Sequence, residues 1–451
     1  MINFTQITDN ISNTFNNKID NKLYNSFLYK IKDINFFNII NNLNINDYFY
    51  WQNNLTDFTF LAIDNLDKAI FSRCNNFADI KNSIISVKEN FSIHYENTNI
   101  PLIIGGVKFY EENSQNWENF SNYDFFIPKL LFIKENETCY LVINTNTNDI
   151  SIVHNYLLKI ENLTNNSNFS KQIPKGKIIY NESLEKWENK VNSAVLDIKN
   201  DQYKKVVIAR IKKIELNTHN GLEHLPQFLS TLSYNHKDCV IFGYKKANSA
   251  FFGASPEKFI NLSNNILETD ALAGSALITD KGKLDADLDD ILLHDKKNLD
   301  EHNQVLEYII AGLKDYAISI NYSKTPIVKD LHYIKHLWTP IKAELNDKSI
   351  IEIIESLFPT PAVCGFPKDK ALEAIKKLET DSRGLYSGLV GWLNLSDNSE
   401  FYVSLRSALL KENFLYAFAG CGIVKGSDYK KEYDETESKF TPIINLVQIE
   451  N

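Results

Sequence analysis

The segment SDYKKEYDETESKF places Glu432, Glu435 and Lys439 at offsets of three and four residues. On a helix those positions share one face. Two carboxylates and an amine on one face can hold a cation or an anionic ligand, or can form a solvated salt-bridge ladder, and spacing alone does not separate these. Ser427 is the expected N-cap of that helix. Directly upstream, AGCGIV sets Gly420 and Gly422 at the end of an apolar strand pattern, where a ligand could approach backbone N–H groups closely. A bulge or tight strand packing is the plainer alternative. Glu301, beside His302 in HDKKNLDEHNQVLEYI, is a second helix carboxylate. By itself it is a surface charge. Paired in space with Glu435 it could bind a hard cation, since magnesium is satisfied by one or two carboxylates completed by waters and substrate oxygens. Lys205 opens KVVIARIKKIEL, and Glu257 follows Ser255-Pro256 in GASPEK, where the chain must turn sharply. A desolvated lysine and a carboxylate against an apolar wall can exchange protons near neutral pH; otherwise both are ordinary surface charges. Residue types and spacing thus reach as far as an acidic metal site with a possible Lys/Glu acid–base pair.

The elements that must position these groups follow from periodicity. KVVIARIKKIEL is rich in β-branched residues, and CVIFGYKKANSAFFGASPEKFINL reads as paired strands with a turn around Lys246 to Ser249. LYSGLVGWLNL, EFYVSLRSALL and FLYAFAGCGIV repeat the pattern, separated by polar turns at Ser396 to Ser399 and Lys411 to Asn413, which predicts antiparallel neighbours. Leu288, Ile291, Leu292, Val305, Ile309 and Leu313 recur at helical spacing between Leu284 and Tyr316. Another helix is predicted from Leu184 to Ile198. Strands with helices between them give an α+β architecture of large antiparallel sheets with helices packed outside. Residues 1–185 mix short helices with strands such as Leu102 to Ile104 and Tyr140 to Ile143 and carry little obvious chemistry. The Asn- and Ser-rich stretch from Asn162 to Gly176 reads as a loop or junction, so 1–185 is expected to complete the sheets and 186–451 to form the catalytic region, as one structural body.

Bulk composition limits the partners. A chain of 451 residues with 43% hydrophobic and 23% charged residues can bury a substantial core. A net charge of -9 without a long basic run argues against nucleic acid or an anionic membrane as partner. Neither a signal-type N-terminus nor an apolar run near the ~20 residues of a spanning helix is visible, so a cytoplasmic location is expected. Cys74, Cys139, Cys239, Cys364 and Cys421 are scattered singly, as reduced thiols rather than a zinc site.

In order, the blocks KVVIAR, FGASPEKF, LAGSA, DEHNQVLEYI, HLWTPI, LFPTPAVCGFP, RGLYSGLVGW, YVSLRSALL, FAGCGIV and EYDETESK resemble the chorismate-utilising enzyme family, from about Lys204 to Lys439. DYFYWQ and GGVKFYEENSQNWENF look more weakly like its isochorismate synthase branch. The resemblance implies a body of two large antiparallel sheets packed together with helices outside. Lys205 stands where water-adding members carry the lysine that activates water, and anthranilate synthases have glutamine there. Ala273 in LAGSA stands where aminodeoxychorismate synthases carry an attacking lysine, and an N-P-S-P-type segment is missing after YNHKDCVIFGY. HLWT and PAVCG look more like isochorismate synthases than the salicylate-forming branch.

The implied reaction is a magnesium-dependent, reversible isomerisation of chorismate. Glu301, Glu435 and nearby Glu432 would hold Mg2+ and through it one substrate carboxylate. Arg406, Tyr386, Lys439 and the backbone of Gly420 and Gly422 would meet the other, with Gly274 and Ser275 in the same pocket. Lys205, neutral when it acts, would take a proton from water attacking C2 while Glu257 protonates the departing C4 hydroxyl. His336 resembles the family histidine near the ring or pyruvyl side, with a core histidine as alternative; Thr339 and Thr360 would support the pocket. Phe358 departs from the family, where histidine is frequent. Neither an amidotransferase subunit nor a second copy is implied, so a monomer acting on a small molecule is expected. Menaquinone biosynthesis is the favoured pathway, with a catechol siderophore or salicylate as alternatives. The enzyme rival is a salicylate synthase, which makes isochorismate and then eliminates pyruvate.

Overall fold

Alternation of large apolar side chains along the strands sorts the chain into layers. In Tyr48–Asn53, Phe49 and Trp51 face one way and Tyr48 and Tyr50 the other; in Phe58–Asn65, Phe60 and Ala62 oppose Leu61 and Ile63. The first set joins Phe242, Tyr244, Phe251 and Leu409 in an aromatic core shared with Ile104, Val390, Trp392 and Tyr402 of a second sheet. The opposite set packs beneath the helix Leu225–Asn235 through Phe228, Leu229 and Leu232. Both faces of each sheet are therefore buried, the condition under which strands carry apolar residues on successive positions. The far face of the second sheet, with Ile103, Leu389, Leu393, Phe401 and Val403, packs in one cluster with the helices Phe77–Asn90, Lys296–Leu313 and Ile350–Leu357.

This computed structural model describes residues 22–43, 45–96, 100–112, 114–146, 150–161, 173–277, 285–330, 334–346 and 349–450, with the single positions 7 and 11. Among them the larger sheet has 14 strands and the smaller nine. Pairing is antiparallel except at the two outer edges of the larger sheet, where Tyr24–Ile31 runs parallel to Phe91–Ile93 and Gln448–Ile449 to Lys175–Asn181. Strands from early and late in the chain share both sheets: Tyr48–Asn53 pairs with Val240–Lys246, and Ile103–Val107 with Leu389–Leu393. The expected hairpin between Val240–Lys246 and Ser249–Ser255 is present. Of the expected loop, residues 162–172 lie outside the described residues.

Three sequence expectations change. EFYVSLRSALL is two strands, Ser399–Val403 in the smaller sheet and Ser407–Lys411 in the larger, because apolar alternation continues across a chain crossover. The helical stretch expected from Leu284 to Tyr316 divides into Asp285–His294 and Lys296–Leu313, broken where the Asp295 side chain accepts from the Asn298 N–H at 2.8 Å as an N-cap. The last helix, Tyr429–Ile444, is capped by Asp428, whose carboxylate accepts from the N–H groups of Lys430 and Lys431. Ser427 instead accepts from the Val424 N–H, closing the turn before it.

Candidate active site

Two neighbouring crossovers between the sheets create the corner in which the site lies. After Ser249–Ser255 in the larger sheet the chain passes through Pro256 and Glu257 into Lys258–Ser263 of the smaller one. Beside it, Ser399–Val403 passes through Arg406 back into Ser407–Lys411. The crossovers hold each other: the Val403 N–H donates to the Glu257 carbonyl at 3.0 Å, and the Ala254 N–H to the Arg406 carbonyl at 3.1 Å. Arg406 makes this bend at φ 47°, a left-handed conformation that costs a non-glycine residue about 1 kcal/mol or more.

Below this corner is a cavity lined by Lys205, Glu257, Ser275, Glu301, His336 and Tyr386, and by Arg406, Gly420, Gly422, Glu435 and Lys439. These are eleven of the thirteen site residues expected from the sequence. Gly274 and Glu432 sit behind it. Gly274, at φ 78°, forms the bulge between Ala273 and Ser275, and a Cβ there would lie 2.8 Å from the Asn298 carbonyl of the neighbouring helix. That bulge shapes the strand bearing Ser275, whose N–H donates to the Asn298 side chain at 3.1 Å.

The acid–base candidates lie on different elements. Lys205, 2% exposed, starts the strand Lys205–Leu216 and donates to Glu301 on Lys296–Leu313 at 2.7 Å. Burial works to raise the Glu301 pKa, but Lys205, with Lys297 and Lys439 farther off, holds the carboxyl below its ordinary value. Burial instead pushes Glu257 up to about 7, against the pull of Lys205, Arg406 and Lys439. Two carboxylates in one cavity thus differ in proton affinity because one has a lysine bonded to it and the other does not.

Gly422 is required by this arrangement, since a Cβ on it would lie 2.9 Å from Lys205 Cε and 3.4 Å from a Glu301 carboxylate oxygen. A Cβ on Gly420 would stand 3.2 Å from the Tyr386 hydroxyl. Tyr386 itself stacks on Phe418 with ring centroids 5.1 Å apart. On Tyr429–Ile444, Lys439 donates to Glu435 at 2.6 Å and to the Gly420 carbonyl at 3.0 Å. Burial opposes charge on Lys439, and Glu435 more than offsets it, raising its pKa. His336 meets Ser275 across the ladder, Nδ1 to Oγ 2.9 Å, and burial together with Lys439 and Arg406 drives its pKa well below the usual value. It is a buried imidazole that lines the cavity and also bonds the Gly274 backbone, held toward its neutral form.

The donor set suits a hard cation in kind. Glu301 and Glu435 offer only oxygen and share one cavity, while buried Glu432 is pushed up to about 7 by desolvation and by the charge of Glu435. Among the described residues no three His, Cys, Asp or Glu side chains form a metal cage. A magnesium ion there would draw on water and substrate oxygens, which is its usual preference.

Other expectations resolve outside the cavity. Thr339 accepts or donates at 2.8 Å with Nε2 of His302, supporting the helix that bears Glu301. Phe358 is 4% exposed and packs edge-on against Phe259, so a histidine's absence there removes nothing from the cavity wall. Sequence reasoning gave no role to Val207, Ala362, Val363, Ser387 and Leu405, which also line it. Val207 could have been found by strand alternation from Lys205; the others depend on loops that bend toward the site. Ala273, singled out for lacking an amine, does line the cavity. No helix among the described residues is long and apolar enough to cross a membrane.

Comparison with known proteins agrees with this geometry. A family described as chorismate binding enzyme matches residues 10–448. The chain is 30% identical to isochorismate synthase MenF of Bacillus subtilis (strain 168), over 94% of this chain and 93% of that protein. It is 37% identical to the salicylate biosynthesis isochorismate synthase of Pseudomonas aeruginosa, over 55% of this chain and 52% of that one. The solved structure of the menaquinone-specific isochorismate synthase MenF from Escherichia coli superposes with a TM-score of 0.81 at 22% identity, covering 98% of this chain and 99% of that one. Two stacked sheets with a charged cavity where they exchange strands, and a family match over nearly the whole length, place this chain among the chorismate-binding enzymes.

Proposed function

We propose that this protein is an isochorismate synthase, an isomerase that converts chorismate to isochorismate. The observation carrying this reading is that Lys205 and Glu257 line one cavity together with Arg406, Lys439, Glu301 and Glu435. An acid and a base are thus combined with cations for a dicarboxylate substrate.

Lys205, as the free amine, takes a proton from the water that adds to C2 of the ring. Both ring double bonds shift by one position, and the C4 hydroxyl leaves as water with the proton held by Glu257. The elevated Glu257 pKa of about 7 suits a carboxyl that must carry a proton near neutrality. Arg406, Lys439 and Tyr386 orient a substrate carboxylate, the guanidinium by paired hydrogen bonds. His336, neutral and bonded to Ser275, adds a polar contact without adding charge. Magnesium, held by Glu301 and Glu435 with Glu432 near, would supply positive charge to the other carboxylate. In the reverse direction the two proton-transfer groups exchange roles.

Ala273 in the cavity wall offers no amine at that position to attack the ring, which favours water as nucleophile. Menaquinone biosynthesis is the favoured pathway, because the match to MenF of Bacillus subtilis spans 94% of the chain whereas that to the salicylate-pathway enzyme spans 55% of it. We expect a monomer that works without an amidotransferase. The test is product analysis from chorismate and Mg2+ with no added lyase: isochorismate as sole product is expected, and salicylate with pyruvate would overturn the reading in favour of a salicylate synthase.

A further inference from the structure

One edge of the strand Lys205–Leu216 has a gap in its pairing. Along its other edge it pairs with Phe414–Ile423 from Val206 to Glu215. On this edge Lys205 and Val206 pair with Gly365–Phe366, the Val207 N–H donates to the Cys364 carbonyl at 2.8 Å, and Lys212 to Leu216 pair with Lys175–Asn181, while among the described residues no strand is paired with positions 208–211 and none takes the Val207 carbonyl. The strand is buried there, and an unpaired backbone group away from water costs roughly 1–3 kcal/mol. Two side chains stand in the gap. Glu379 accepts from the Ala209 N–H at 2.7 Å, and Arg383 donates to the Val207 carbonyl at 2.7 Å. Arg383 holds Glu379 through two further bonds, of 2.8 and 2.5 Å, and donates to the Val363 carbonyl at 3.1 Å. Its guanidinium lies 4.2 Å from the Phe109 ring centroid, and the residue is 1% exposed. The pair therefore substitutes for a missing strand and ties together two pieces of cavity wall, Val207 and Val363. Arg383 also begins the turn that carries Tyr386, whose N–H donates to the Arg383 carbonyl at 2.9 Å.

We infer that Glu379 and Arg383 are positioning residues for the reaction: they clamp the strand bearing Lys205 to the loop at Val363 and to Tyr386, fixing where the base stands relative to the ring. Neither touches the cavity, and a lysine at 383 keeps the charge but cannot reach the two carbonyls and the carboxylate together. The inference rests on the isochorismate synthase reading for its kinetic consequence only. A displacement of about 1 Å at a reacting group lowers turnover about 100-fold, so Arg383→Lys should lose kcat by that order. Chorismate affinity, measured by titration of the protein's fluorescence, should fall far less than kcat, no more than a few-fold, because Arg406 and Lys439 lie on other elements and only Tyr386 among the carboxylate contacts hangs from the clamp. Glu379→Gln keeps an acceptor for Ala209 and should show a smaller loss of the same kind; it serves if Arg383→Lys does not fold. Amide hydrogen exchange should rise in peptides covering 205–211, 360–366 and 379–388 and stay native in the Val240–Lys246 and Ser249–Ser255 hairpin. A folded variant with native kcat, or one whose kcat falls only in step with its folded fraction, overturns the inference. If the native chain makes no isochorismate the functional reading fails instead, and exchange decides alone: unchanged protection at 205–211 overturns the clamp.

Discussion

Lys205 Nζ and the Glu301 carboxylate lie 2.7 Å apart, joined across 96 residues of sequence in a cavity wall that Gly422 leaves open for them. This pair connects the two halves of the chemistry, since one partner is the candidate base and the other a candidate ligand for magnesium. Removing either changes the surroundings of the other, and the first predictions concern them.

Lys205→Ala should abolish turnover while chorismate still binds. General base catalysis contributes about 10²- to 10⁴-fold, so a loss in that range is expected in kcat, with the dissociation constant for chorismate nearly unchanged. Retention of near-native kcat would take the lysine out of the mechanism.

Glu301→Ala and Glu435→Ala should each raise the magnesium concentration needed for activity, or remove the response to magnesium altogether. Direct binding of Mg2+ by calorimetry provides a readout that does not require turnover. Magnesium titrations matching the native protein in both variants would refute the assignment of these carboxylates.

The pH dependence follows from Glu257, raised to about 7. The reactive state carries one proton on the Lys205/Glu257 pair, on Glu257 with Lys205 as the free amine; with Lys205 bonded to Glu301 that proton starts on the lysine and must pass to Glu257 before reaction. Below about 7 Glu257 takes up a second, so kcat/KM at saturating magnesium should fall as pH drops through that value and level off above it. Glu257→Gln should turn over about 10²- to 10⁴-fold more slowly, with its residual rate flat through pH 7. Glu432, also raised to about 7, is the control: Glu432→Gln should keep the acid limb. A limb lost with Glu432 and kept with Glu257 would reverse the assignment.

Gly422→Ala introduces a methyl group 2.9 Å from Lys205 Cε, the end of a flexible side chain, so the fold should tolerate it at a cost of about 1–3 kcal/mol. Turnover should fall because Lys205 is displaced. Gly426→Ala meets nothing within 4 Å and should change neither property. Equal activity in the two variants would show that the contact is unimportant.

How far the sequence led can be judged from particular residues. The offsets of Glu432, Glu435 and Lys439 predict a shared helix face, and Tyr429–Ile444 is that helix, but only Glu435 and Lys439 line the cavity. Helical period fixes a face, not which of its residues a neighbouring strand covers. Ser255-Pro256 announced the bend that delivers Glu257. The equivalent bend at Arg406 was hidden, because EFYVSLRSALL alternates without a break while changing sheets. That Lys205 meets Glu301 could not be read from spacing, since long-range pairing of a strand with a helix leaves no local signature; only the family resemblance placed them together. The Glu379–Arg383 clamp was equally invisible, because the gap it fills appears only once the strand order is known.

The most direct test of a water-adding isomerase is to run the reaction in oxygen-18 water and analyse isochorismate at early times by mass spectrometry and NMR. The account predicts one labelled oxygen per molecule, in the hydroxyl at C2. Isochorismate that forms at the native rate without label would contradict it, because the hydroxyl would then have moved within the substrate.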